Sequence, residues 1–164
     1  MNLNEILNTK VDINWKSTNN GFSGTFELDK KHYEIVLDEY DVNLSKKISL
    51  IDFGFKAGGS WNLTNDHRAP KVIGAVLNGL IKKLGELKPD CLMFGINNKN
   101  GSIKSRASLY ERIGGLYLKG STFIFESDWI KTKNGQYKIL SKIKFSNEDE
   151  KIINDLASSI ELKD

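Results

Sequence analysis

Two stretches of the 164-residue chain hold side chains able to do chemistry. Tyr110 lies in "SLYERIGG", residues 108–115, inside a short helical pattern that stops at Gly114-Gly115. A phenol held there can protonate a leaving group, and such proton transfer contributes about 10²–10⁴-fold in rate. It can equally be a core tyrosine whose hydroxyl finds one partner. Asp52 is the sole carboxylate of "KISLIDFGF", residues 47–55. Buried in such an apolar strand, a carboxylate has a raised pKa and can act as a base. Alternation sets Asp52 opposite Phe53, and an exposed position at a strand edge is the competing reading. The remaining reactive types are scattered. His32 and His67 are isolated, and no His/Cys/Asp spacing suits a metal. Cys91 heads an apolar run and reads as a small hydrophobe. Gly58-Gly59 is not followed by the Gly-Lys-Ser/Thr of a phosphate loop. Trp61, on a polar loop, suits a lid over a ligand or a partner contact.

These residues need elements to position them. Leu3, Ile6 and Leu7 have helical spacing, which predicts a short amphipathic helix over 2–9. Phe22, Gly24, Phe26 and Leu28, then Tyr33, Ile35 and Leu37, alternate with polar residues around "DKKH" and predict a hairpin. Residues 47–55 are apolar on both faces and predict an interior strand in which Gly54 marks a bulge or a packing need. After a polar loop, Pro70 suits the first turn of a helix with Val72, Ile73, Val76, Leu77, Leu80, Ile81 and Leu84 on one stripe. "CLMFGI", 91–96, reads as a strand buried on both sides, joined to 47–55 by a right-handed parallel crossover. "STFIFES" and "QYKILSKIKF" are two more strands, the latter with its lysines on a wet face. Ser146 with Asp149 caps a last helix whose apolar side is Ile152, Ile153, Leu156 and Ile160.

Hydrophobic residues make up 39% and charged residues 27% of the chain, a globular balance for one domain. The net charge of +3 comes from dispersed lysines rather than a basic stripe, so the sequence does not point to nucleic acid. A single cysteine forbids an internal disulfide. "MNLNEILNTK" lacks the apolar core of a signal peptide, and no run approaches the length of a spanning helix, so no membrane and a cytoplasmic location are expected.

The element order, with Leu109-Tyr110-Glu111-Arg112-Ile113-Gly114 on its second internal helix, resembles the GNAT superfamily of acyl-CoA N-acyltransferases. The resemblance covers about residues 22–145. It implies an α+β (mixed α/β) fold, a central mixed sheet of about six strands flanked by helices. The chain is then one domain, 1–164, with a 22–145 core and terminal helices over 1–10 and 146–164. It further implies acetyl-CoA or another acyl-CoA in a wedge between strands 47–55 and 91–96. Phe53, Phe55, Arg68, Ala69, Lys71 and Val72 would then bind the cofactor, and an amine acceptor would be the second substrate. Asp52 would serve as base and Tyr110 would protonate the thiolate. The family's alternating glycines at the phosphate are replaced here by Lys71 and Ile73, with Pro70 removing one backbone donor. The stretch His67-Arg68-Ala69-Pro70-Lys71-Val72 also resembles small proteins common in phages, whose location would be the host cytoplasm. Two functions follow from these likenesses. One is a weak or degenerate acyl-CoA-dependent N-acyltransferase. The other is a non-catalytic phage protein acting by contact, as an inhibitor of a host factor or a virion component, with a host or phage protein as partner.

Overall fold

The computed structural model describes residues 11–57, 69–97, 125–133 and 135–160. Among the described residues eight strands form one sheet: β1 (Asn14–Ser17), β2 (Gly21–Leu28), β3 (Lys31–Asn43), β4 (Lys47–Ala57), β5 (Cys91–Asn97), β6 (Phe125–Glu126), β7 (Ile130–Thr132) and β8 (Gly135–Ser141). Two helices accompany them among the described residues, α1 (Ala69–Leu87) and α2 (Asn147–Ser159). The strand order is β1-β2-β3-β4-β5-β8-β6, with β7 also on β8. Only β4 and β5 run parallel, joined through α1; the other neighbours are antiparallel.

The β2–β3 link is tighter than the polar run suggests. Lys31 and His32 already pair with Leu28 and Glu27, which leaves Asp29 and Lys30 as the turn. Both have positive φ, 51° and 68°, the backbone of a two-residue turn whose twist matches that of its strands. α1 ends where Lys88 takes a left-handed conformation, φ 51°, and its N–H donates to the Leu84 carbonyl at 2.7 Å. Pro89 follows and cannot continue the helix.

Each face of the sheet has its own core. The first joins Phe26, Tyr33, Ile35, Leu37, Ile51, Phe53, Phe55, Leu92, Phe94 and Ile96 to the α1 stripe Val72, Ala75, Val76, Leu77, Leu80 and Leu84. Ile81, expected on that stripe, is 42% exposed. The second joins Val42, Ile48, Leu50, Cys91, Met93, Tyr137 and Ile139 to Ile153, Ala157 and Ile160 of α2. Each fully buried large aliphatic or aromatic side chain is worth about 1.5–3 kcal/mol of transfer free energy. α2 starts with a capping box: Ser146 accepts from the Asp149 N–H at 3.1 Å and the Asp149 carboxylate accepts from the Ser146 N–H at 3.3 Å. Ile152, expected on its apolar side, is exposed.

The N-terminal strand is fixed by two glycines. An added Cβ on Gly79 of α1 would stand 2.1 Å from Ile13 Cδ1, and one on Gly24 of β2 would stand 2.7 Å from Ile13 Cγ2. Ile13 therefore fills a slot between helix and sheet that no larger residue at either position would leave open.

The GNAT-like architecture of about six strands flanked by helices does not hold. Strands take 49% and helices 28% of the described residues, and the sheet has eight strands. The excess has a physical origin. β3 runs for 13 residues, through "EYDVN", where Val42 packs into the second core on the face opposite Tyr33, Ile35 and Leu37. β6 and β7 are short edge pieces held by the β8 ladder, and β1 is a short edge strand that continues the alternation of Val11, Ile13 and Trp15. Two further expectations are corrected. Gly54 is not at a bulge against β3, since the register runs unbroken from Tyr33↔Ala57 to Asn43↔Lys47. The expected wet lysine face fails at Lys138, which is 9% exposed with its ammonium 5.7 Å from the Trp129 ring centroid, while Lys142 and Lys144 lie past the end of β8, half-buried and exposed.

Candidate functional site

The parallel seam is short. β4 and β5 share four rungs, Leu50↔Cys91 to Phe53↔Phe94. Both strands then run on, β4 along β3 to Ala57 and β5 along β8 to Asn97. Among the described residues no rung joins Gly54–Ala57 to Gly95–Asn97. The result is a fork in the sheet at the C-terminal ends of two parallel strands, the end where open α/β sheets bind ligands.

Its closed end is welded by Phe53 and Phe94, whose rings meet edge to face at 5.2 Å. Phe55 and Ile96 follow on the same face, both buried, and Phe55 stacks on Tyr33 at 5.8 Å. Lys138 occupies the register position beside Phe94 on this face. The opposite face is more polar. Asp52 is 1% exposed there, between Asp38 of β3 and Met93 of β5. Directly opposed residues of an antiparallel pair bring their Cβ atoms to about 4.5–5.5 Å, so two carboxyl-bearing side chains start side by side. Four residues on, the Lys56 ammonium lies 3.7 Å from Glu34, and Ser23 donates to the other Glu34 oxygen at 2.5 Å.

α1 begins at the same end of the sheet. The Lys71 ammonium lies 3.9 Å from the Asp29 carboxylate in the β2–β3 turn. That turn adjoins the last β3–β4 rung, Tyr33↔Ala57. The first turn of α1 contains no acid of its own to offset the positive end of the helix dipole. The Lys71–Asp29 pair is exposed and contributes little to stability.

The structure thus brings Asp52, Phe53 and Phe55 to the fork. It places Ala69 as the first residue of α1, Lys71 exposed and ion-paired, and Val72 6% exposed within the first core. Val72 packs against the protein interior rather than presenting its side chain at the surface. Arg68 and Tyr110, with His67, Trp61 and Ile73's side chain, lie outside the described residues. An exposed strand edge for Asp52 is corrected, because β4 has a strand on each side and a covered face over Asp52. Sequence reasoning missed Asp38 and Lys138, which only the strand register sets beside Asp52 and Phe94.

Other chemistries have less support. Burial pushes the Cys91 thiol up to about 11, against a lowering hydrogen bond to Ser141 and with a further rise from the Asp90 charge. Such a thiol is not an activated nucleophile. Among the described residues no three His, Cys, Asp or Glu side chains are grouped to hold a metal ion, and no helix is long and apolar enough to cross a membrane. In comparisons with known proteins, no family model, curated protein or solved structure matches the chain.

Proposed function

We propose that the chain binds an acyl-CoA in the β4/β5 fork and serves as a weak acyl-CoA-dependent N-acyltransferase. The observation that carries this reading is the end of the parallel ladder at Phe53↔Phe94 while both strands continue. Strand edges that stop pairing offer N–H and C=O groups to an extended, amide-bearing molecule, which is the character of a pantetheine arm. The residues present fit such a ligand. Phe53, Phe55, Phe94 and Ile96 are packed into the first core behind the fork, so the arm would rest on the freed strand edges rather than on these side chains, and the acid-free start of α1, with Lys71, suits its phosphates. When bound, the thioester supplies an acyl group activated towards an amine. Asp52, nearly buried beside the fork, takes up the proton that the amine releases. Tyr110 is the candidate donor to the departing thiolate.

Titration calorimetry with acetyl-CoA tests the reading directly. Saturable heat and a raised thermal midpoint at millimolar ligand are expected. Asp52→Asn should retain that binding and lose turnover with an amine acceptor. Absence of heat and of a thermal shift would end the proposal.

A second reading has its own observation. Lys71 and Ile73 stand where close backbone approach to phosphate calls for glycine, and Val72 between them is committed to the core. A degenerate cofactor site of this kind favours a contact protein whose partner is a host or phage protein. Under that reading Tyr110→Phe and Asp52→Asn leave function intact, whereas Trp61→Ala abolishes it.

A further inference from the structure

The edge strand that covers β8 is interrupted. β6 pairs at Phe125↔Ser141 and Glu126↔Leu140, and β7 at Ile130↔Tyr137 to Thr132↔Gly135. Between them Ser127 maintains the ladder unconventionally. Its N–H donates to the Ile139 carbonyl at 2.9 Å, and its hydroxyl accepts from the Ile139 N–H at 2.9 Å. The irregularity separates two neighbours: Trp129 packs on the first core, while Asp128 stays exposed at a cavity on the second face.

That cavity, about 320 Å³, lies between the β6–β8 edge and α2. Ile130, Ile139, Phe145 and Ile153 make it apolar, and among the described residues Asp128 and Glu150 are the only charged ones lining it. Neither carboxylate has an ion-pair partner among the described residues, although the chain carries a net charge of +3. A place in the first turn of α2 accounts for Glu150 through the helix dipole, but it does not account for Asp128. Asn154, also on the lining, accepts the Tyr137 hydroxyl, which fixes that wall.

We propose that this cavity is a binding site for an alkylammonium group. The aliphatic stem lies on the isoleucines and Phe145, and the ammonium meets Asp128 and Glu150. The volume is at the low end for small-molecule sites and suits a chain of roughly five carbons. The same chemistry occurs in a free linear diamine and in a lysine side chain. This site is separate from the fork, and its test involves no thioester.

The test is methyl NMR of Ile130, Ile139 and Ile153 in the full chain, titrated with cadaverine, with N-acetyl-lysine methylamide and with 1-pentanol. Cadaverine or the lysine amide should give saturable shifts, and the tighter of the two identifies the source. Asp128→Asn with Glu150→Gln should weaken that binding about tenfold. Asp128→Asn alone, away from the α2 cap, controls for any loss of helix stability and should also weaken it. Equal shifts with pentanol, unaltered binding in both variants, or no saturation with either amine would each overturn the assignment.

Discussion

β4 has two neighbours and meets them in different ways. With β3 it pairs along its whole length, from Lys47 to Ala57, in one unbroken register. With β5 it pairs only from Leu50 to Phe53. Length does not explain the contrast, because β4 and β5 both extend past the last shared rung. The connections do. β3 and β4 are joined by Leu44–Lys46, so closure is local and each rung follows from the previous one. β4 and β5 are joined through a 19-residue helix, and their seam closes where the α1 core and the Phe53–Phe94 pair hold it. A locally closed seam is a scaffold, whereas a seam closed at one end leaves strand edges apart, as the proposed ligand site requires.

The contrast can be broken at its weld. Phe94→Ala removes the fully buried ring that meets Phe53. Urea denaturation should show a loss of about 3–5 kcal/mol. A loss under about 1 kcal/mol would mean that the closed end of the fork is not held there. Hydrogen exchange sharpens the same point. Amides of Gly54–Ala57 directed away from β3 should exchange faster than those of Ile51–Phe53 by about two orders of magnitude. Uniform protection along β4 would make the two seams alike. Asp149→Ala removes the α2 capping box and should cost about 1 kcal/mol in thermal or urea unfolding. It should leave the exchange contrast along β4 unchanged. The smallest effect is alkaline and falls on the β5 side alone. Burial raises Cys91 to about 11 from 9.0, and raises Tyr137 of β8 to about 12 from 10.0. Both folded values lie above the unfolded ones, so the stabilisation is complete below about pH 9 and is lost as pH rises through about 11 and 12. The urea midpoint should fall across that range, and Cys91→Ala should flatten the first part of the fall.

Much of the scaffold was legible in the sequence. Alternation around "DKKH" marked the β2–β3 hairpin, two-faced apolarity marked β4 and β5, and Ser146 with Asp149 marked the α2 cap. These signals are local, and local periodicity reports them. The fork was not legible, because which rungs form between strands separated by a long crossover depends on register. Asp52 looked like an edge residue for the same reason: its burial comes from neighbours on β3 and β5, not from its own strand. Lys138 read as solvated because a lysine in an alternating strand usually is. Trp129, which packs near it, arrives through a break in the edge strand that no pattern announces. β1 carries on a short alternation, Val11, Ile13 and Trp15, that sequence reasoning missed, and its place depends on a slot made by Gly24 and Gly79.

That slot has a consequence for the order of assembly. Its two walls come from β2 and α1, which are far apart in sequence, so Ile13 has nowhere to go until the helix has docked on the hairpin. β1 itself closes locally on β2 across residues 18–20, so it is the seating of the Ile13 side chain against Gly79 that is expected to come late, a latch between hairpin and helix. Ile13→Ala should accelerate unfolding in stopped-flow measurements while leaving the refolding rate almost untouched. The residue that enters last then governs how long the native state survives rather than how quickly it is reached.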